Sequence, residues 1–137
     1  NYIHSYINIP DTSNRDSLFQ AEARRCKNIL DSIKINNKMR HFCVFDELYS
    51  GTNPNEAISA GYGFLKFLNK NKKINFILTT HYVSLCEKLD NEDILNMKML
   101  IDNNKYKITN GISNINGGII ILEKLNYDKE IIEYAKL

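Results

Sequence analysis

Hydrophobic and polar positions along this chain follow two alternating periods. Residues Tyr2 to Ile9 place aromatic or Ile side chains at roughly every second position, until Pro10 and the polar run DTSNRD stop them, which predicts a strand followed by a loop. From Ser17 the period changes: Phe19, Ala23, Cys26, Ile29, Leu30 and Ile33 recur at helical spacing. Ser17 can cap this helix with Gln20 as the third residue of a capping box, and the helix is expected to reach about Ile35. After INNKMR, the run His41 to Phe45 is short, apolar and ends abruptly at Asp46 and Glu47, as buried parallel strands do. A second helix is predicted from Asn53 as cap, with Pro54 first and Glu56 third, continuing to about Asn69. INFIL then forms another apolar run, closed by Thr79, Thr80 and His81.

The remainder predicts a strand over Lys105 to Thr109, a glycine-containing turn GISNINGG, a further apolar run from Ile119 to Leu122 and a last helix from about Tyr127. Strands alternating with helices imply a parallel sheet covered on both faces, with ligands in the crevice beyond the carboxyl ends of the strands. Two of those ends carry polar chemistry.

Composition narrows the partners. The chain has 137 residues, 43% hydrophobic and 25% charged, ordinary for one globular domain. Its eighteen Lys and Arg nearly cancel against acids to a net +2, so a strongly cationic nucleic-acid surface is not indicated. Cys26, Cys43 and Cys86 are odd in number and lack a CxxC pair, which argues against a disulfide framework or zinc site and for an intracellular, reducing compartment; nucleus, organelle, cytoplasm and viral origin stay open. No apolar run nears the roughly 18 residues that span a bilayer, so no membrane partner is expected.

An apolar strand ending in Asp46 and Glu47 suits a nucleoside triphosphatase: one carboxylate holds hydrated Mg2+, the next orients the attacking water. Two such acids also read as a strand terminus with solvated charge. Gly51 and Thr52 at a short offset, and His81 at a neighbouring strand end, add weight to the first reading. Ser17 lies at a helix N-terminus that can face an anion, while remaining a plain cap. His4 and His41 lack comparable surroundings and are assigned no role. Lys70, Lys72 and Lys73 read as a solvated turn, and Gly61 and Gly63 as breaks in the second helix pattern or close packing.

The segments SLFQAEARRCKNIL, FCVFDELYSGTNPNEA and FILTTHYVSL, in this order, resemble the signature, Walker B with D-loop, and His-switch segments of the MutS family of DNA mismatch-repair ATPases. Ser17, Phe19, Glu22, Ile29 and Leu30 fall in register with that signature, with Leu18 where the family has Thr. DELxxGT is present as Asp46, Glu47, Leu48, Gly51 and Thr52, and ATHY as Thr79, Thr80, His81 and Tyr82. The wording looks closest to divergent viral and organellar relatives.

The resemblance implies a three-layer, ABC-type P-loop NTPase fold, here its C-terminal portion with a mainly parallel sheet. Residues 1–137 would be a partial ATPase domain, with the signature segment at 14–30, Walker B and D-loop at 41–54 and His-switch at 74–82. It also implies roles. Asp46 would hold Mg2+ through water, and Glu47 would act as base or water-positioning group. His81 would contact the terminal phosphate, while Ser17, Gly51, Thr52 and Thr80 would lie along the ATP, Ser17 reaching the nucleotide of an opposing subunit. Implied partners are ATP, Mg2+, a second MutS-type subunit in a homo- or heterodimer, and mismatched duplex DNA held by regions outside this chain.

No GxxxxGK[ST] segment occurs in the sequence. In the family that loop precedes the signature, so the resemblance places it upstream of Asn1, and the isolated chain is expected to bind nucleotide poorly and to be inactive. A noncatalytic dimerisation module from a split or decayed MutS protein is the alternative. Another ABC-type ATPase head fits less well, since an LSGGQ-like signature is absent and DELYSGT occurs with TTHY.

Overall fold

The computed structural model describes residues 1–7, 9, 17–102, 105–113 and 117–137. The predicted loop over DTSNRD, the first residues of the signature segment and the middle of the GISNINGG turn lie outside the described residues.

Among the described residues the elements follow in the order β1 (Tyr2–Tyr6), α1 (Leu18–Ile35), β2 (His41–Asp46), α2 (Pro54–Asn69), β3 (Ile74–Thr79), α3 (Val83–Leu89), β4 (Met97–Asp102), β5 (Lys105–Asn110), α4 (Gly117–Lys124) and α5 (Lys129–Ala135). Strands β1, β2 and β3 form a parallel sheet in that order, with His41 opposite both Tyr2 and Ile74 and Asp46 opposite Thr79. Strands β4 and β5 pair antiparallel as a separate hairpin.

Local chemistry sets the helix starts. Ser17 accepts from the Gln20 amide while the Gln20 side chain accepts from the Ser17 amide, the reciprocal capping box expected from the sequence. Asn53 accepts from the Glu56 amide, with Pro54 opening α2. Period-two burial on β2 puts His41, Cys43 and Phe45 on one face and leaves Phe42 and Asp46 exposed on the other.

The buried face is the core. Cys26, Ile29 and Ile33 of α1 and Ala57, Phe64, Leu65 and Leu68 of α2 belong to it, and Phe45 meets Phe64 edge-on with ring centroids 5.4 Å apart. Helix α3 adds Leu85 and Leu89, with Leu85 against Gly61, a close approach that accounts for a glycine within α2. A salt bridge and hydrogen bonds among Lys66, Tyr62 and Glu92 tie α2 to the turn after α3.

Helices covering both faces of the sheet are not seen among the described residues. The helices of both crossovers pack on the Phe45 face, while Ile3 and Ile77 on the opposite face are 79% and 59% exposed. The architecture is α/β with a parallel sheet of three strands. The apolar run Ile119 to Leu122 is helical, within α4. None of the described helices is long and apolar enough to cross a membrane.

Candidate functional site

The parallel register carries Asp46 and Thr79 to the carboxyl ends of adjacent strands. There the Thr79 hydroxyl donates to Oδ1 of the exposed Asp46 at 2.5 Å. The Glu47 amide donates to the Thr79 carbonyl at 3.0 Å and to Thr79 Oγ1 at 3.2 Å. One threonine thus fixes the carboxylate of one acid and the backbone of the next.

Glu47 has φ of 53°, in the left-handed region that non-glycine residues occupy at a cost of order 1 kcal/mol. This conformation leaves the strand direction, and Glu47 Oε1 lies 2.6 Å from His81 Nε2. Both side chains are well exposed, so the pair contributes little to stability and remains open to other partners. Asp46, Glu47 and His81 therefore gather at the carboxyl ends of β2 and β3. Thr80 serves locally, its hydroxyl accepting from the Tyr82 amide at 3.0 Å.

The loop from Glu47 to Asn53 is held from several sides. Leu48 is buried, and Tyr49, also left-handed with φ of 59°, donates its amide to the Tyr6 hydroxyl at 3.2 Å. Burial raises the ionisation of both Tyr6 and Tyr49 far above the usual phenol range, so each stays a neutral hydrogen-bonding group. Glu22 of α1, buried in the apolar stripe of its helix, accepts from the Ser50 amide and hydroxyl at 3.1 and 3.0 Å through one oxygen and from the Gly51 amide at 3.0 Å through the other. Thr52 donates to Glu56 at 2.5 Å.

Ser17 caps α1 beside this loop. The first turn of α1 presses on Gly51, where a Cβ would lie 2.6 Å from Leu18 Cγ and 2.8 Å from the Phe19 backbone nitrogen. The start of α1 and Gly51 therefore meet, and Gly51 is joined to the acids through Leu48, Tyr49 and Ser50, the first two buried. Gly51 and Thr52 hold the loop through internal contacts, which leaves their expected contact with ATP as a further role.

A family model described as MutS domain V matches residues 1–137. This chain belongs to the MutS family. Similar relatives include a DNA mismatch repair protein MutS of Prochlorococcus marinus strain MIT 9312, 29% identical over 136 residues that cover 94% of this chain and 14% of the relative. An endonuclease MutS2 of Clostridium tetani is 28% identical over 133 residues, 92% of this chain and 17% of that protein. An endonuclease MutS2 of Agathobacter rectalis is 30% identical over 135 residues, with 92% and 17% covered. The chain thus spans about one seventh of the length of the MutS relatives it matches.

In this MutS-family chain, no group of three or more His, Cys, Asp or Glu suited to hold a metal occurs among the described residues. One exposed carboxylate, Asp46, fits a hydrated Mg2+ that takes its remaining ligands from water and phosphate, as Mg2+ commonly does. The residues outside the predicted set that shape the site are Thr79, Glu22 and Tyr6. Glu22 had a sequence signal: it occupies a position in the helical stripe between Phe19 and Cys26, where an acid has no place unless donors meet it.

His4 and His41, assigned no role from sequence, form a paired cluster at the opposite strand ends. His41 is buried, its Nε2 donates to the Asn36 carbonyl at 3.0 Å, and its Nδ1 accepts from His4 Nε2 at 2.9 Å. Burial, then the neighbouring His41 and Arg25, lower the pKa of His4.

Proposed function

We propose that this chain is the hydrolysis half of a MutS ATPase domain, acting in an ATP-dependent DNA mismatch-repair protein whose phosphate-binding loop lies outside these residues. The cluster of Asp46, Glu47 and His81 beyond the ends of parallel strands carries the reading. Bound Mg2+ would supply neutralisation of phosphate charge. Asp46, its carboxylate fixed by the Thr79 hydroxyl, would hold the hydrated ion. Glu47 accepts a hydrogen bond from the attacking water and takes its proton. His81 offers Nε2 to the terminal phosphate, exchanging Glu47 for that partner. Ser17, Gly51, Thr52 and Thr80 line the approach, with Ser17 facing a nucleotide on an opposing subunit of a homo- or heterodimer. Mismatched duplex is gripped by other regions, and ATP binding and hydrolysis are coupled to dimer closure on it.

The test is a calorimetric Mg-ATP titration of this chain beside a polypeptide that adds the phosphate-binding loop. Binding by the longer form alone is expected. Tight binding by the short chain would overturn the reading, and association of the short chain with a loop-bearing partner without ATP would favour a noncatalytic dimerisation module. In the longer form, Glu47→Gln slows hydrolysis by roughly a hundred- to ten-thousand-fold, about 3 to 5 kcal/mol. Unchanged turnover would remove Glu47 from the mechanism.

A further inference from the structure

Among the described residues Glu22 is the one buried acid, and the chemistry at the strand ends leaves it unused. It is 2% exposed, points from α1 into the loop between β2 and α2, and meets the Ser50 amide and hydroxyl, the Gly51 amide and the Tyr6 hydroxyl of β1. A carboxyl group buried there without such donors would destabilise the fold strongly, and the loop amides would lose their acceptors in turn. The two requirements meet only in one relative placement of α1 and the loop. Steric contact fixes that placement a second time, because Gly51 sits against Leu18 and the Phe19 backbone with no room for a Cβ. Phe19 also packs on Tyr49 with ring centroids 5.7 Å apart.

We propose that Glu22 is a positioning residue that locks the start of α1 to the loop bearing Glu47, so that a displacement of Ser17 moves the water-directing carboxylate. The route is short. Ser17 opens the helix, Glu22 lies one turn further along it, and Ser50 and Gly51 follow Glu47 by three and four residues through the left-handed Tyr49. Asp46 stays outside the route, since the β2–β3 ladder and Thr79 hold it. The proposal rests on the reading of Glu47 given above. It adds how the edge of the site that faces a partner would govern hydrolysis.

Glu22→Gln tests it in the intact protein. Gln keeps the volume but puts an NH2 donor where one carboxylate oxygen stood, so either the Gly51 amide or the Ser50 donors face a donor in place of an acceptor. Hydrogen exchange in the peptide covering residues 47–53 is expected to speed up about tenfold, while the β2–β3 ladder exchanges as before. Turnover is expected to fall about a hundredfold, the scale of a misplaced reacting group, with KM for ATP within about twofold. Unaltered exchange of that peptide overturns the proposal, as does a kcat loss matched by the fall in folded fraction on melting. If Glu22→Gln fails to fold, exchange in the unmodified protein decides: unprotected Ser50 and Gly51 amides overturn the proposal, and protection of both sustains it. An unmodified protein without ATP turnover would end the functional reading, and the exchange result would still decide whether Glu22 locks the loop.

Discussion

Gly51→Ala separates two accounts of this glycine. If Gly51 serves only to line a nucleotide, a methyl group leaves the fold of the isolated chain intact. The structure instead puts an added Cβ 2.6 Å from Leu18 Cγ, 2.9 Å from Leu18 Cβ and 2.8 Å from the Phe19 nitrogen. Carbon atoms rest about 3.5 to 4.0 Å apart, so α1 or the loop must shift by nearly 1 Å. Leu18 can turn aside, but the Phe19 nitrogen is backbone in the first turn of a helix tied down by Glu22. Overpacking of this kind costs about 1 to 3 kcal/mol, and the backbone contact argues for the upper end. Replacing glycine also narrows the unfolded ensemble, which returns about 0.4 to 1 kcal/mol. The net loss is about 2 kcal/mol. With a urea slope of about 2 kcal/mol per molar, the midpoint falls by about 1 M at unchanged slope. Urea unfolding followed by circular dichroism measures this directly. A midpoint within about 0.2 M of the parent, roughly 0.4 kcal/mol on that slope, would show that α1 does not press on Gly51.

Two other perturbations probe separate parts of the molecule. Thr79→Val removes the hydroxyl that Asp46 and the Glu47 amide share while keeping the side-chain shape, so the Mg2+ concentration for half-maximal turnover of the intact protein should rise about tenfold, with Thr79→Ser restoring it; an unmoved Mg2+ dependence would deny Thr79 its hold on Asp46. The lowered pKa of His4 means that the unfolded chain binds the proton more readily than the folded one, so stability is complete above the ordinary value of 6.5 and declines as pH falls through and below it; urea midpoints across this range should fall on acidification, less so in His4→Asn, and equal slopes in both chains would exclude His4 as the source.

The elements at the site were the most legible in the sequence because their signals are local. A capping box at Ser17, the Asn53-Pro54 start of α2 and strands ending abruptly in polar residues are each encoded within a few positions. Helix α3 was not legible: it has seven residues, and its cap, Tyr82, makes no side-chain bond, so neither length nor capping chemistry marks it. Strand β4 reads MKMLID, with methionine and lysine where β-branched residues would signal a strand, and its pairing with β5 supplies what local preference lacks. The run Ile119 to Leu122 is too short for periodicity to distinguish strand from helix. Acid and histidine positions followed from strand ends. The groups that orient them did not, since Thr79 reaches Asp46 across 33 positions and Glu22 reaches Ser50 across 28.

Those long-range contacts also explain why the strained turn persists. Glu47 and Tyr49 both hold left-handed conformations, together about 2 kcal/mol or more above ordinary backbone. Neither has a local reason to do so, and no glycine lies between Asp46 and Ser50 to relieve them. Three separate elements supply the restraint: β3 through Thr79 to the Glu47 amide, β1 through the Tyr6 hydroxyl to the Tyr49 amide, and α1 through Glu22 to Ser50 and Gly51. The first two come from strands paired with β2 and move with it. The third comes from a helix packed on the sheet rather than a strand hydrogen-bonded to it, and it reaches the loop on the far side of Leu48 from Asp46. A turn strained at both ends of Leu48 and gripped by α1 through Glu22 ties the direction of Glu47 to the seat of that helix, while the carboxylate of Asp46 is held separately by β3.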